Sequence, residues 1–184
     1  MALTPSNMMA LGTLAPDFLL PDTVSGKLLG LKDSKVEIAT VLFFICNHCP
    51  YVKHIQKELV NLANDYSSKG VGFIAINSND AEKYPEDSPE KMQQVAKEFN
   101  YPFPYLFDET QAVAKSYEAA CTPDFYIFDN ELKLTYRGQL DDSRSGNTVP
   151  LSGKDIRAAL DAMLRGEKPS PFQRPSIGCN IKWK

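Results

Sequence analysis

Two cysteines separated by two residues are the most reactive pair that the chain offers: Cys46 and Cys49 stand in the sequence Cys-Asn-His-Cys. A thiolate, not a thiol, attacks a disulfide, and a helix N-terminus lowers the pKa of a cysteine placed there. An apolar run ends at residue 45, and an amphipathic helical pattern starts at residue 49. We therefore predict that a buried strand delivers both thiols to the first turn of a helix, where the helix dipole favours a thiolate.

The composition is that of an ordinary globular protein and argues against several classes of function. A chain of 184 residues with 43% hydrophobic and 23% charged residues suits a single domain over residues 1–184. The net charge of −3 gives no reason to expect nucleic acid or a membrane surface as partner. No apolar stretch reaches the roughly 20 residues of a membrane span, and no basic leader is visible. We expect a cytoplasmic protein, whose four cysteines indicate redox or metal chemistry.

Strand and helix patterns surround the motif. The first half predicts a hairpin over residues 19–31, a core strand over 36–45, a helix over 49–69 and a second buried strand over 71–77. Two strands joined through a helix should be parallel. Residues 80–88 are polar and contain Pro85, so we predict a surface loop there.

The second half predicts more elements and then an irregular C-terminal tail over residues 166–184, which hold three prolines. The predicted elements are helices over 89–100, 111–117 and 153–165 and an antiparallel hairpin of strands 124–129 and 133–138.

Three motifs carry a family resemblance: residues 12–18 (Gly-Thr-Leu-Ala-Pro-Asp-Phe), the Cys-Asn-His-Cys motif, and Thr122-Pro123 before an apolar strand. With this element order, residues 11–184 resemble the thioredoxin superfamily, and within it the redoxin or peroxiredoxin-like (AhpC/TSA-type) branch. The resemblance implies an α/β thioredoxin-like fold with a central mixed β-sheet flanked by helices, an N-terminal β-hairpin and a C-terminal tail. It also implies a cis Thr122–Pro123 bond beside the two cysteines.

The resemblance implies a thiol–disulfide oxidoreductase of cell redox homeostasis. We expect Cys46 to be the outward, lower-pKa nucleophile and Cys49 the buried resolving thiol. Pro123 is expected to shape the substrate groove, with Thr122 and Asn47 as substrate-binding residues. The expected partners are protein or small-molecule disulfides and thiols, with thioredoxin or glutathione as electron donor. No cofactor or metal is expected besides the redox-active disulfide.

His48 precedes the second cysteine, as in strongly oxidising periplasmic enzymes of the superfamily. We predict that it stabilises the reduced thiolate and raises the reduction potential. The alternative is a histidine that is simply exposed to solvent. The buried aspartate that thioredoxins carry six residues before the first cysteine is Thr40 here. Four nearby residues are candidates to replace it as proton acceptor or to favour a thiolate, although Lys53 and His54 suit surface positions equally: Glu37, Lys53, His54 and Asp124.

Peroxide reduction is the first alternative function. A peroxidatic cysteine lies in Pro-x-x-x-Thr-x-x-Cys and aligns with Cys49. Leu42 stands here in place of the proline, Cys46 in place of the threonine, and Pro123 in place of the peroxide-binding arginine. Stabilising charge on a peroxide needs preorganised donors. Dithiol exchange is therefore the favoured activity, although antioxidant activity is natural for this branch.

Two further classes remain as alternatives. The first is a metal site, since Cys46, His48, Cys49 and His54 are four soft ligands within nine residues. The second is a non-catalytic module that binds a partner in the groove beside Pro123. A helix-start Cys-x-x-Cys followed by Thr-Pro is the more specific signal, and retention of both thiols argues for redox chemistry.

Cys121 and Cys179 are possible accessory redox thiols. Cys121 lies two residues before Pro123 and can equally be a small buried hydrophobic residue. Cys179 has glycine and apolar neighbours, which predicts that the tail docks on the domain. If it docks near the motif, Cys179 is a candidate for exchange with Cys46 or Cys121.

Overall fold

The structure is a computed structural model that describes residues 3–34 and 36–184. The strands are β1 (Leu3–Pro5), β2 (Leu19–Pro21), β3 (Leu28–Gly30), β4 (Ala39–Phe44), β5 (Val71–Asn77), β6 (Tyr105–Phe107), β7 (Cys121–Thr122), β8 (Asp124–Asp129), β9 (Leu134–Gly138) and β10 (Ile177–Asn180). The α-helices are α1 (Pro50–Tyr66), α2 (Pro89–Glu98), α3 (Ala112–Ser116) and α4 (Lys154–Leu164). Short 3₁₀ turns cover Lys32–Ser34, Ser67–Lys69 and Pro85–Asp87.

A five-stranded mixed sheet in the order β6-β5-β4-β8-β9 forms the centre of the fold. The strand β4 lies in the middle, parallel to β5 and antiparallel to β8. This confirms the predicted parallel pair and the predicted β8–β9 hairpin. All six residues of β4 are buried because helices or loops cover both faces of the sheet.

The two faces of the sheet pack into separate hydrophobic clusters, because side chains alternate along a strand. Phe43 points into the first cluster, where α1 and α4 supply residues such as Leu59 and Leu160. Phe44 points into the second cluster, with Tyr117 after α3 and Leu20 of the N-terminal hairpin. That hairpin pairs β2 with β3 as predicted. The architecture is the predicted α/β, thioredoxin-like one.

The helix α1 begins one residue after Cys49 and ends earlier than the predicted residue 69. Pro50 occupies the first helical position, where a missing N–H group costs no hydrogen bond. After Tyr66 the chain tightens into a 3₁₀ turn, and Gly70 ends it with φ +84°, a left-handed conformation that favours glycine. Within the described residues, no helix has the length and apolar character that crossing a membrane requires.

The sequence predicted an irregular C-terminal tail, and this prediction was wrong for part of it. Residues 177–180 form β10, the middle strand of a small sheet in the order β1-β10-β7. Cys179 pairs with Leu3 on one side and with Thr122 on the other. These pairings join distant parts of the chain, so local periodicity carries no signal for them. The tail docks on the domain, which confirms that part of the prediction.

The packing of Phe43 provides a test of the first cluster. Its ring is 1% exposed and meets the Phe103 ring edge-to-face at 5.2 Å. Phe43→Ala should lower the free energy of unfolding by about 3–5 kcal/mol, because truncation leaves a cavity. The matched control is Phe172→Ala, at a ring that is 92% exposed, which should change it by less than about 0.5 kcal/mol. Urea unfolding measures both, and equal losses in the two variants would contradict this packing.

Candidate active site

The two cysteines of the motif lie between the end of β4 and the start of α1. Cys46 follows Phe44 by two residues, and Cys49 is the residue immediately before the first helical turn. Both side chains are buried, with 1% of Cys46 and 0% of Cys49 exposed. The strand–helix junction was predicted correctly, but both cysteines precede the first helical turn instead of lying in it. The expectation that Cys46 faces outward was wrong, because a neighbouring segment of the chain covers its sulfur.

That neighbouring segment is Thr122-Pro123, which joins β7 to β8 through a cis peptide bond, as the resemblance implied. The Thr122 hydroxyl oxygen is 3.3 Å from the Cys46 sulfur. Its carbonyl oxygen is 3.3 Å from the Cys49 sulfur. One residue therefore contacts both sulfurs of the motif from the opposite side of the site.

Cys179 on β10 brings a third sulfur into the site. Its Sγ atom is 2.9 Å from the Sγ atom of Cys49, and its side chain is 3% exposed. Cys179 does lie near the motif, which was the condition for it to be a candidate for exchange, but its immediate neighbour is Cys49 and not Cys46 or Cys121. Cys121 is also buried, and its thiol donates to the Pro123 carbonyl oxygen at 3.5 Å. No disulfide joins these four cysteines, all of which are among the described residues.

The pKa order of the motif is the reverse of the predicted one. A hydrogen bond to Cys49, burial and the negative charge of Asp87 all raise the pKa of Cys46. The pKa of Cys49 is lowered, chiefly because the Cys46 thiol donates to its sulfur, and further because Cys179 and the Val52 backbone N–H donate to it. These donors outweigh burial and the single carbonyl contact. The resting negative charge therefore belongs on Cys49, and the proton of the pair on Cys46.

Asp87 is the functional residue that the sequence did not reveal. Its carboxylate is fully buried and accepts hydrogen bonds from the Asn47 backbone N–H at 2.7 Å and from the Asn79 side chain at 2.7 Å. The Asp87 Oδ2 atom, which accepts the bond from Asn79, also lies 2.7 Å from Nδ1 of His48. Burial opposes ionisation, but these donors together hold the pKa of Asp87 below its usual 3.8. A buried carboxylate thus holds both residues between the two cysteines.

The prediction of a surface loop over residues 80–88 was wrong for Asp80 and Asp87, which are buried. Asp80 and Asp87 are 2% and 0% exposed, and the Lys182 carbonyl oxygen of the tail accepts a hydrogen bond from the Asp80 backbone N–H. The polar composition concealed this because buried polar residues are rare without partners. One signal was available: parallel strands end at the same edge of a sheet, so the segment after β5 must lie beside the segment after β4.

His48 is an ion-pair partner and is not simply exposed to solvent, as the alternative held. Its side chain is 18% exposed and stacks on the Tyr84 ring at 5.4 Å with an angle of 9° between the planes. The Asp87 carboxylate, 2.7 Å from Nδ1, raises the pKa of His48 above its usual 6.5, against the opposing effects of burial and of Lys182. Its influence on the reduction potential stays a prediction.

Asn47 has an internal structural role. Its amide nitrogen donates to the Glu86 carbonyl oxygen at 2.7 Å, and its amide oxygen accepts from the Tyr105 hydroxyl at 3.1 Å. These bonds tie the motif to β6 and to the loop after β5. Substrate binding by Asn47 stays a prediction.

The four residues that the sequence offered as proton acceptors or as residues favouring a thiolate are either exposed or bonded to other partners. Glu37 and Lys53 are exposed. The His54 ring makes a 2.7 Å hydrogen bond with the Ser143 hydroxyl. Asp124 is buried, and Arg137 lies 3.4 Å from its carboxylate. In their place, the acid that the fold brings to the motif is Asp87.

The metal set that the sequence offered is not brought together. Among the described residues, one group has ligand atoms within 4.8 Å of one another, and it consists of Cys46, His48 and Asp87 without Cys49 or His54. A metal would need the Nδ1 lone pair of His48 or a carboxylate oxygen of Asp87. Those two atoms already lie at hydrogen-bond distance from each other, so the arrangement favours an ion pair over a metal site.

The sheet, the helix-start dithiol and the cis proline opposite it define a thioredoxin-like redoxin. The AhpC/TSA family model matches residues 11–137, and the chain therefore belongs to the AhpC/TSA family.

Solved structures agree with this placement. An uncharacterized conserved protein from Geobacillus kaustophilus is 64% identical over 100% of this chain and 97% of its own, with a TM-score of 0.99. A hypothetical protein from Sinorhizobium meliloti 1021 is 49% identical over 98% of each chain, with a TM-score of 0.96. The thioredoxin domain of a thiol-disulfide oxidoreductase from Bacteroides vulgatus shares the fold, at 18% identity, 75% and 91% coverage and a TM-score of 0.61. No curated protein matches.

The ion pair of His48 and Asp87 predicts a pH-dependent contribution to stability. The raised pKa of His48 stabilises the fold fully below 6.5 and loses this effect as pH rises through the folded-state value. The lowered pKa of Asp87 stabilises the fold above 3.8 and loses this effect at lower pH. Asp87→Asn should therefore cost most near pH 5, about 1–3 kcal/mol, and less at alkaline pH.

Urea unfolding of the reduced protein across this pH range measures the effect. Glu86→Gln is the matched control, since it removes the same charge from an exposed neighbour and should change stability by less than about 0.5 kcal/mol. A loss in Asp87→Asn that is constant from pH 5 to alkaline pH would mean that the pair with His48 contributes nothing.

Proposed function

We propose that this protein is a thiol–disulfide oxidoreductase whose redox pair is Cys46 and Cys49. One observation carries the proposal: the Cys46 and Cys49 sulfurs lie together just before α1, each 3.3 Å from an oxygen of Thr122, whose bond to Pro123 is cis. Disulfides form and break by exchange between neighbouring sulfurs, so two thiols held against one backbone segment are suited to this chemistry. Family membership supports oxidoreductase chemistry in general.

The reaction begins with proton transfer inside the pair. The Cys46 thiol passes its proton to the neighbouring Cys49 thiolate. The Cys46 thiolate attacks a substrate disulfide, forms a mixed disulfide and expels one substrate thiolate, which takes the proton from Cys49. The Cys49 thiolate then attacks the Cys46 sulfur, closes the Cys46–Cys49 disulfide and releases the second substrate thiolate. Two electrons pass to the substrate, and a thiol donor such as thioredoxin or glutathione returns them.

Substrate access requires movement, because both sulfurs are buried. Strand β10 pairs with Thr122, the residue proposed to bind substrate beside Pro123. A substrate that pairs with the Thr122 backbone must therefore displace this strand. The cytoplasmic location and the role in redox homeostasis expected from the sequence are part of the same proposal.

Peroxide reduction is the second candidate, and membership of the AhpC/TSA family is what favours it. The chain does carry a buried arginine, Arg137. Its guanidinium donates to the Tyr126 hydroxyl at 2.8 Å and to the Glu118 carbonyl oxygen at 2.9 Å. In the described part of the chain, the hydrogen bonds of Arg137 reach neither Cys46 nor Cys49. Dithiol exchange therefore remains the better supported activity.

Insulin reduction in the presence of dithiothreitol tests the proposal. Cys46→Ser and Cys49→Ser should each lower the rate to the uncatalysed level, because either change removes one half of the disulfide. Cys121→Ser is the control: burial raises the pKa of the Cys121 thiol, which makes it a poor nucleophile, so its loss should leave at least about half of the activity. A Cys46→Ser protein as active as the parent would exclude Cys46 as nucleophile.

A parallel assay separates the two candidates. Hydrogen peroxide consumption coupled to a thiol reductant should be slow relative to insulin reduction, because the threonine and arginine donors of a peroxidatic site are replaced by Cys46 and Pro123, and its proline by Leu42. Rapid peroxide turnover without insulin reduction would favour the peroxidase.

A further inference from the structure

The C-terminal strand lies where a substrate strand would pair with the site. Cys179 is directly opposite Thr122 in the β10–β7 ladder, and Asn180 is opposite Cys121. The approach is unusually close at Gly178, where an added Cβ atom would lie 2.1 Å from the Thr122 carbonyl oxygen and 3.1 Å from the Pro123 nitrogen. Glycine is therefore the residue that lets this strand reach the Thr122–Pro123 peptide bond.

The tail is held in this position by contacts on both sides of β10. The Ser176 hydroxyl donates to the Gly138 carbonyl oxygen at 3.1 Å, and the Lys182 backbone N–H donates to the Asn79 side-chain oxygen at 2.8 Å. Asn79 also donates to Asp87, so the contact network of the motif continues into the tail. The position of Cys179 is thus determined by the fold and not by its side chain alone.

We propose that Cys179 is a third redox thiol of the site and forms a disulfide with Cys49, as an alternative to the Cys46–Cys49 disulfide. The two sulfurs are 2.9 Å apart. Reacting atoms in a near-attack arrangement are about 3–3.5 Å apart, so these sulfurs are close enough to react. The inference rests on the proposed function, because the Cys46–Cys49 disulfide is its starting species.

The exchange balances without an external oxidant. The Cys179 sulfur attacks the Cys49 sulfur of the Cys46–Cys49 disulfide, and a Cys49–Cys179 bond forms. The Cys46–Cys49 bond breaks, its electron pair goes to Cys46, and the proton of the Cys179 thiol passes to the Cys46 thiolate. Cys46 is again a thiol, and the two oxidising equivalents are stored in the Cys49–Cys179 disulfide.

Electrostatics favour this order of events. Burial, followed by the hydrogen bond to Cys49 and the charge on Cys49, raises the pKa of Cys179 to about 12 in the reduced site. Oxidation of Cys49 removes the last two of these effects, while the nearby ammonium group of Lys182 continues to lower the pKa. Cys179 therefore becomes a better nucleophile once the first disulfide has formed.

Disulfide mapping of a Cys46→Ser variant tests the pairing. The full chain is oxidised with one equivalent of diamide, alkylated with N-ethylmaleimide and digested with trypsin. Cys49 is then the one cysteine of peptide 36–53, Cys179 lies in peptide 166–182 and Cys121 lies in peptide 116–133. We expect peptide 36–53 linked to 166–182, and no such species after the further change Cys179→Ser. Peptide 36–53 left unlinked, or linked to 116–133, would overturn the proposal.

The parent protein tests the exchange itself. After oxidation by two electrons it should contain both species, peptide 36–53 with an internal disulfide and peptide 36–53 linked to 166–182. The Cys179→Ser protein should contain the internal disulfide alone. A parent protein that holds the internal disulfide alone at equilibrium would overturn the exchange step.

Gly178→Ala in the Cys46→Ser background tests whether β10 presents the thiol. The added methyl group would collide with backbone atoms, so the linked species should fall at least about 10-fold, and alkylation of Cys49 should accelerate. Ile177→Ala is the matched control at a half-exposed neighbour and should keep the parental yield. Circular dichroism verifies folding, and if Gly178→Ala does not fold, the two mapping experiments decide. A folded Gly178→Ala protein with the parental yield would contradict this presentation.

Failure of the inference and failure of the proposed function are distinguishable. A parent protein that reduces insulin but never links Cys49 to Cys179 retains the function and loses the third thiol. A protein that forms this link but does not reduce insulin retains the thiol pairing and loses the proposed function.

Discussion

The antiparallel register between β4 and β8 is the constraint on which the site depends. This register places Phe44 opposite Asp124, so that the residues just beyond each strand, Cys46 and Thr122, meet at the same edge of the sheet. A slip of one residue would turn every side chain of β8 to the opposite face and separate these two residues. The buried alternation of Phe43 and Phe44 between the two hydrophobic clusters is what prevents such a slip.

The buried carboxylate of Asp87 holds the two residues between the cysteines in place. The carboxylate of Asp87 accepts hydrogen bonds from the Asn47 backbone and from Asn79 and forms an ion pair with His48. A buried carboxylate is tolerated only when its oxygens are paired. Because Asn47 and His48 lie in the turn between the cysteines while Asp87 and Asn79 lie in the loop after β5, the ionised carboxylate holds that turn against that loop. The same negative charge opposes ionisation of Cys46 and leaves the resting thiolate to Cys49.

The order of the pKa values of Cys46 and Cys49 depends on the C-terminal tail. Helix-dipole reasoning considers one helix in water and places the lower pKa at the first cysteine. In the folded protein, β10 adds the Cys179 thiol and backbone N–H as donors to Cys49, and Thr122 covers Cys46. Short-range hydrogen bonds to a sulfur in a low-dielectric interior outweigh the dipole of the helix. The order of the two pKa values is therefore a property of the assembled site.

The sequence by itself determined the long strands and helices of the central sheet and the place of the motif. Strand β5 was predicted with its observed bounds and β4 within a longer span, and Gly70 was recognised as the end of the first helical region, because hydrophobic periodicity and glycine are local signals. The Thr122–Pro123 bond and its position opposite the dithiol followed from the family resemblance. Tertiary structure alone decided the partners: Asp87 reaches Asn47 across 40 residues, and Cys179 reaches Cys49 across 130. Such contacts depend on which chain segments the fold brings to one edge of the sheet, and periodicity along the chain does not record that.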